Sequence, residues 1–540
     1  MMKKILLLSF LMLLCVNMLM KGQPNVIFIM ADDLGWTDLS TPNTSMGNPS
    51  KYYETPNIDN FAKEGMSFAY AYTQQNCQPT RAALLSGQYA TGAHNGVYNV
   101  GSLQRASKGL RATTPIIPHR QINYLREDCI SIFETVKSVG YHTAWFGKFH
   151  AIKTANHAKS FLGVDYNLAV HKETKATVDG NHVKNEFFSQ KDDANGWQFE
   201  IAELKPYAQP YDSAYIQDVL EPLKNGNNPW QLEGTPKHLT DALGDAVVDY
   251  IKDKAPKSTP FFAYVPFHAV HVSILPRPDL EAKYKSKKSK DPRHNRADYA
   301  AFVELLDQTV GRILNALDDP NGDGDTSDGI ADNTLVVFYS DNGGFMGPTD
   351  NTPLRARKGT YYEGGLRVPL IFRYPGTIAP NTVNTTQEVH AIDFYPTLVD
   401  ILEAQLPNPQ VYKIDGKSIA SVLKGETEVI DDRTELYWHF PGYMDVRNMP
   451  QSVIQYRDMD NQHYKLFYRY EDASYEFYNL SKDIGESHNL LQENPNQETL
   501  DLAILMNNKL REWLINNNAP TGTWRANGKT VAYPPMNMGK

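Results

Sequence analysis

Asn76-Cys77-Gln78-Pro79-Thr80-Arg81 sets a thiol two residues ahead of a proline and four ahead of a guanidinium, then runs on into Ala82-Ala83-Leu84-Leu85-Ser86-Gly87. Proline fits the first turn of a helix, where its missing N–H costs nothing, so the spacing predicts Cys77 at a helix N-terminus. Unsatisfied backbone N–H groups and the helix dipole favour an anion there. Arg81 adds a fork-shaped cation matched to a tetrahedral oxyanion. The chemistry this points to is attack on a small oxyanion. The pattern is short, and a buried structural cysteine or a thiolate nucleophile reads from the same residues.

Four apolar, β-branched runs end in polar residues that carry chemistry. Asn25 to Met30 is followed by Asp32 and Asp33, Tyr141 to Phe146 by Lys148 and His150, Pro260 to Phe267 by His268 and His271, and Thr334 to Tyr339 by Asp341 and Asn342. In an open parallel sheet, polar chemistry collects just past the carboxyl ends of the strands. Each dipeptide alone reads as a turn or helix cap; together they predict one site on one sheet edge. Asp32, Asp33, Asp341 and Asn342 are hard oxygen donors, the set that suits Ca²⁺ or Mg²⁺ better than zinc. Three carboxylates gathered without a cation would be costly through repulsion and desolvation.

The elements that must position these groups alternate. Val368 to Tyr374 reads as a further strand, and Ile130 to Val139, Asp241 to Lys254 and Ala297 to Leu317 have helical spacing. This predicts an α/β fold with a large mixed, mostly parallel sheet flanked by helices. From about Asp431 the texture becomes short aromatic strands, at Tyr437–Phe440, Ser452–Arg457, Tyr464–Tyr470 and Tyr475–Leu480, and then a helix over Leu500–Asn516. A smaller C-terminal antiparallel sheet plus helix follows from that pattern. The stretch from Ala155 to Asn227 is polar and irregular, and is expected to form surface loops.

At 540 residues the chain exceeds one ordinary core. Lys3 and Lys4 before the apolar run Ile5 to Met20 form a secretory signal pattern, too short for a comfortable membrane span. The expected organisation is a signal peptide over 1–22, an α/β domain over 23–430 and an α+β subdomain over 431–540, with the mature protein periplasmic or secreted. Contact with a membrane is expected only through export or a lipid on Cys15, and Leu14 before it is bulky for such processing. Signal removal leaves Cys77 and Cys129, so a disulfide framework does not hold the fold. A net charge of -9 excludes a general nucleic-acid binder.

The ordered segments NVIFIMADDLGWTDL, TPNIDNFAKEG, CQPTRAALLSGQYATG, GKFH, PFFAYVPFHAVH, LVVFYSDNGG, KGTYYEGGLRVPLI, DFYPTLVDI and YKLFYRY…YEFYNLSKDIGESHNL span nearly the whole mature chain. With them the sequence resembles the formylglycine-dependent type I sulfatases of the alkaline phosphatase superfamily. The resemblance implies hydrolysis of a sulfate ester after a maturation enzyme converts Cys77 to formylglycine (3-oxoalanine). It implies Ca²⁺ held by Asp32, Asp33, Asp341 and Asn342 and touching the converted Cys77. Arg81 and Lys148 match positions that steady the nucleophile, and Lys358 matches the lysine that grips the sulfate. His271 matches the acid for the leaving alcohol, and His150 the base for the second half of turnover. Thr80 stands where serine is commoner, a hydroxyl for a hydroxyl. His268-Ala269-Val270-His271 departs from the family's Asn-Ala-Pro-His, placing His268 at the asparagine position.

A sulfated carbohydrate is the substrate this implies, since export and polar loops suit polymer breakdown. His94, Asn95, His268, Trp438 and His439 are the candidate substrate contacts. Phosphodiester or phosphonate hydrolysis, and carbohydrate binding without catalysis, are the alternatives. Asp319 to Asp328 imitates a calcium loop, but Ile330 stands where the bidentate glutamate belongs; an acidic turn is the simpler expectation.

Overall fold

The structure, a computed structural model, describes residues 22–99, 113–119, 122–153, 155–170, 206–430, 432–444 and 448–539. The signal-peptide reading and the central part of the expected surface loops lie outside them. Among the described residues no helix is long and apolar enough to cross a membrane.

Strands β1 (Asn25–Ala31), β2 (Met66–Tyr72), β4 (His142–Lys148), β5 (Tyr166–Val170), β6 (Phe261–Pro266), β7 (Thr334–Ser340), β8 (Leu370–Arg373) and β9 (Thr382–His390) form one eight-stranded sheet, in the order β5-β4-β6-β1-β7-β8-β2-β9. β3 (Ile116–Ile117) lies outside it. β4, β6, β1 and β7 are adjacent and mutually parallel. Val26 to Ala31 is fully buried, because helices cover both faces, and so its run is apolar without alternation. The helices Leu239–Lys254, Pro278–Ser286 and Ala297–Asp318 pack on one another. They supply buried Leu243, Val247, Phe302, Leu306 and Val310 to the principal core.

β8 runs antiparallel to β7 on one side and to β2 on the other. The reason is the connection: residues 341–369 leave and return at the same sheet edge, so the next strand must run backwards. β2 again points the same way as β7, and its carboxyl end leads straight into the helix Cys77–Ser86. The sequence pattern does not predict β2, because MSFAYAY lacks a long β-branched run. It also treats Tyr166–Val170 as loop, whereas β5 extends the sheet beside β4.

The C-terminal sheet, β10 (Glu435–Phe440), β11 (Gln451–Arg457), β12 (His463–Arg469) and β13 (Tyr475–Asn479), is antiparallel throughout. The helix Gln497–Asn516 packs on it through Ala503, Met506, Leu510 and Leu514, which recur at helical spacing. Its apolar core also contains Ala69, Tyr70, Tyr72, Tyr361 and Leu366 of the main domain, so the two sheets share one packed boundary. The tail returns as β14 (Thr523–Trp524) to pair with β3.

Two histidines at this boundary couple stability to pH. Burial, reinforced at His390 by Arg433, pushes its imidazole down to about 3, and burial pushes that of His439 to about 4. The unfolded chain takes up both protons as the pH falls below the ordinary 6.5, before the folded chain can. This stability is therefore fully present above pH 6.5 and is lost as the pH falls through that value toward 4. A urea midpoint measured at pH ~4.5 should lie below that at pH ~7.5, each histidine contributing roughly 1 kcal/mol per pH unit across the window. His439→Asn should narrow the difference.

Candidate functional site

The exits of β4, β6, β1 and β7 lie side by side, so their polar residues meet. Ala31 pairs with Ser340 at the end of the β1–β7 ladder, placing Asp32 beside Asp341. The ladder between β1 and β6 continues past both strands: the Asp32 amide donates to Ala269 O at 2.9 Å, and the Val270 amide to Asp32 O at 2.8 Å. That extension pins the turn carrying His271. Successive strand side chains point to opposite faces, so Asp32 and Asp33 would diverge in a continued strand. Asp33 breaks the alternation with a left-handed backbone, φ 63°, a conformation that aspartate tolerates better than most residues. Its amide donates to Asp341 Oδ1 at 3.2 Å.

The helix Cys77–Ser86 begins at the same edge, with Pro79 in its first turn as the motif predicts. Thr80 Oγ1 holds the entry turn, accepting from the Gln74 amide at 3.0 Å and donating to Asn76 O at 3.0 Å. The helix ends at Gly87, whose φ of 65° suits glycine, and its added Cβ would meet Tyr395 and Ile414. Lys358 arrives on the 341–369 connection. Its amide donates to Gly344 O at 3.2 Å, and the next amide, of Gly359, to Gln75 O at 2.7 Å. Gly343 packs against this loop so closely that a Cβ would fall 2.0 Å from Gly364 O. Lys358 Nζ therefore reaches Cys77 Sγ at 3.2 Å and Asp33 Oδ1 at 2.5 Å.

Arg81 grips Asp341 Oδ2 through Nε at 2.9 Å and Nη2 at 2.7 Å, and stands 3.6 Å from Asp32. Lys148 forms an ion pair with Asp32. His271 faces Asp33 at 3.7 Å and keeps 30% of its side chain exposed, so it borders solvent. Three carboxylates thus meet three permanent cations, all buried. Burial favours the neutral acid at Asp32, but Lys148, His271, Arg81 and Lys358 outweigh it and hold this carboxyl well below its usual range. Burial raises Asp341, reinforced by Asp32 and Cys77. At His271 burial favours the neutral ring, yet Asp33 prevails and raises it. Burial likewise opposes ionisation of Cys77, but Lys148 and Lys358 lower its thiol.

One ligand atom each from Asp32, Asp33, Cys77 and His271 lies within 4.8 Å of the other three. Asp32 Oδ1, Asp33 Oδ2 and Asn342 Oδ1 are buried and accept no hydrogen bond. Buried oxygens without donors are costly, and three hard ones on neighbouring strand exits are of the kind that suits a Ca²⁺-type cation. Asp341 accepts from Arg81 at Oδ2 and from the Asp33 amide at Oδ1, and each carboxylate oxygen keeps a second lone pair, so it stays compatible with the expected ligand set.

His150 lies just past β4, and its carbonyl accepts from Gln78 Nε2 at 3.1 Å, tying that strand exit to the Cys77 helix. His268 is buried beneath the His271 turn. The other expected substrate contacts sit elsewhere. Trp438 is buried against Tyr72 and His390, with Nε1 donating to Thr73 O at 2.8 Å. Both ring nitrogens of His439 are engaged, by Ser452 Oγ at 2.8 Å and Pro520 O at 2.7 Å. Asn95 is buried, bonding Gln88 O and the Val97 amide. His94 packs on Tyr412, whose hydroxyl donates to Ser86 O, so it stands at the far end of the helix that begins at Cys77. Aromatic and amide residues near a motif are as useful for packing as for ligands; Trp438, His439 and Asn95 are packed, and His94 is partly exposed beside Asp128.

The Asp319–Asp328 segment is an exposed acidic turn whose carboxylates cap its own backbone. Asp319 accepts from the Gly322 and Gly324 amides, both at 2.8 Å, and Asp325 from that of Ser327 at 2.9 Å. Asp38 is a supporting residue that no motif signals. It accepts from the Gly35 amide at 2.8 Å, Tyr299 Oη at 2.7 Å and Thr349 Oγ1 at 2.6 Å, bracing the loop after β1.

Cations gathered around a nucleophile, with unpartnered oxygens for one cation more, suit a small tetrahedral anion and the rupture of an ester bond to it. Fold and site together define a hydrolase of anionic esters. Within that class the chain belongs to the sulfatase family, the sulfuric ester hydrolases. The family model described as Sulfatase matches residues 24–404, and that described as N-sulphoglucosamine sulphohydrolase, C-terminal, matches residues 357–514. A sulfatase of Formosa agariphila is 76% identical over 512 residues, 95% of this chain and 92% of that protein. Arylsulfatase G of Rattus norvegicus is 26% identical, covering 75% of this chain and 70% of its own length. Among solved structures, Ps i-CgsB in complex with k-i-k-neocarrahexaose is similar with a TM-score of 0.65 at 25% identity, over 92% of this chain and 94% of that one.

If the orphaned oxygens hold Ca²⁺, added calcium stabilises the protein by mass action. At a hundredfold excess over Kd the gain is about 2.7 kcal/mol. Thermal unfolding with Ca²⁺ against chelator should show the shift, and Asp33→Asn should abolish it together with the calorimetric binding signal.

Proposed function

We propose that this sulfatase hydrolyses sulfate esters of a carbohydrate chain, with Cys77 converted to formylglycine and Ca²⁺ as the resident ion. The observation that carries the mechanism is the meeting of Cys77 Sγ, Lys358 Nζ and the ligand atoms of Asp32, Asp33 and His271 at one buried point. Asp32, Asp33, Asp341 and Asn342 would hold the ion, which when bound supplies Lewis acidity toward a sulfate oxygen and lowers the pKa of the nucleophile's hydroxyl. Conversion of Cys77 by a maturation enzyme supplies that hydroxyl, and Thr80 holds the turn that places it at the helix N-terminus.

The chain's own groups supply the rest. Lys358 stands beside Cys77, where its ammonium neutralises sulfate oxygens. Arg81 and Lys148 keep Asp341 and Asp32 paired, so that the inner wall stays charge-balanced when the anion enters. His271 is the partly exposed imidazole of the cluster, suited to give a proton to a departing alcohol at the solvent side. His150, on the exit tied to Gln78, is the base that completes turnover. The carbohydrate reading is supported by the likeness to Ps i-CgsB, seen with k-i-k-neocarrahexaose. Lys3, Lys4 and the apolar run to Met20 support export to the periplasm or beyond.

A screen of sulfated oligosaccharides, neocarra-oligosaccharides among them, should release sulfate with the matching mass loss. Release from none of them by protein whose Cys77 peptide carries the formylglycine mass would overturn the carbohydrate reading. An unmodified thiol in fully active protein would overturn the formylglycine reading. His271→Ala should lower kcat on sugar sulfates by about 100-fold or more, and much less on aryl sulfates whose phenol leaves without a proton. Equal losses on both would remove His271 from the acid role.

A further inference from the structure

The loop that delivers Lys358 has a second face, turned away from the site, and there the C-terminal sheet meets it with buried charge. Lys465, on β12, is fully buried and donates to Glu363 Oε1 at 2.8 Å while standing 3.1 Å from Glu486 Oε1. Glu486, on the turn after β13, accepts from the Glu363 amide at 2.7 Å. Glu363 is also met by Tyr72 Oη at 3.1 Å and Arg367 Nη1 at 3.3 Å. Two cations and two carboxylates therefore balance at a buried point. Neutral groups of similar volume could stand there at no loss of stability, so packing alone does not call for charge here.

The same loop is held at further points. Arg355 Nη1 donates to Glu486 O and Tyr478 Oη, both at 2.9 Å. Tyr362 Oη donates to Glu476 Oε2 at 2.8 Å and accepts from Arg469 Nη2 at 2.7 Å. Inside the loop, the Gly364 amide donates to Arg355 O and that of Gly365 to Tyr362 O, both at 2.8 Å. The turn over 355–367 is thus one compact piece, clamped by the C-terminal subdomain and presenting Lys358 on its other side.

We infer that Lys465 is a positioning residue for the reaction: with Glu486 it clamps Glu363, and through the 355–367 turn it sets Lys358 Nζ beside the nucleophile. The inference rests on Lys358 acting at the sulfate ester, and the loss in Lys358→Ala tests that premise separately. A residue that acts through Lys358 loses its effect once Lys358 is gone, whereas a merely structural one does not.

The test is a double-mutant cycle on aryl sulfate turnover with K465M and the charge-balanced K465M/E486Q, each alone and combined with K358A. Assays run at a temperature where circular dichroism shows every variant folded, with equal conversion of Cys77 established by peptide mass. The expected result is a fall in kcat/KM of about tenfold or more when Lys358 is present, and of about twofold or less when it is absent. Equal losses in the two backgrounds, or full activity in a folded K465M, would overturn the inference. Should K465M not fold, K465M/E486Q carries the same two outcomes, because it leaves Glu363 paired with Arg367.

Discussion

Everything at this site depends on electrical balance among buried charges. Asp32, Asp33 and Asp341 are buried within a few ångströms of one another, an arrangement that mutual repulsion forbids unless cations stand among them. Arg81, Lys148 and Lys358 are those cations, and each comes from a different element. Arg81 rises from the helix after β2, Lys148 ends β4, and Lys358 rides the connection between β7 and β8. The sheet order places these exits together, so the topology serves as a means of charge neutralisation.

That balance is incomplete in an informative way. Asp32 Oδ1, Asp33 Oδ2 and Asn342 Oδ1 remain without donors, while Asp32 Oδ2 and Asp33 Oδ1 accept from lysines and Asn342 Nδ2 donates to Asp33 Oδ1. Asp341, by contrast, accepts at both oxygens, from Arg81 and the Asp33 amide. Asp341 therefore anchors the arginine, while the unpartnered oxygens are the hard donors that a cation would satisfy.

Much of this was legible beforehand, and for identifiable reasons. Long apolar runs ending in Asp32-Asp33, Lys148 and Asp341-Asn342 mark central strands and their exits, because burial on both faces removes polar alternation. Pro79 and Thr80 mark the helix entry through backbone chemistry that acts locally. Where the structure adds what short-range pattern does not show, the causes are equally specific. Trp438, His439 and Asn95 read as substrate contacts by composition, yet each has its polar atoms taken inside the fold. β2 is not marked by a β-branched run, since MSFAYAY contains no Val, Ile or Thr, and β5 lies at the sheet edge in a polar stretch. Asp38, Glu363, Lys465 and Glu486 are invisible as a class, since a charged residue in a sequence looks solvated until its partner is known.

The sequence by itself determined the chemical inventory: a cysteine at a helix N-terminus, oxygen donors at strand exits, and basic and imidazole groups within a few residues of them. These follow from period, proline geometry and side-chain chemistry, all of which act over short stretches of chain. Only the tertiary structure decided which groups face one another. It set β4, β6, β1 and β7 side by side, reversed β8 so that Lys358 returns to the site, and backed that loop with Lys465 from a strand more than a hundred residues away. Such pairings depend on long-range strand order and on desolvation of paired charges, and neither leaves a local trace in the order of residues.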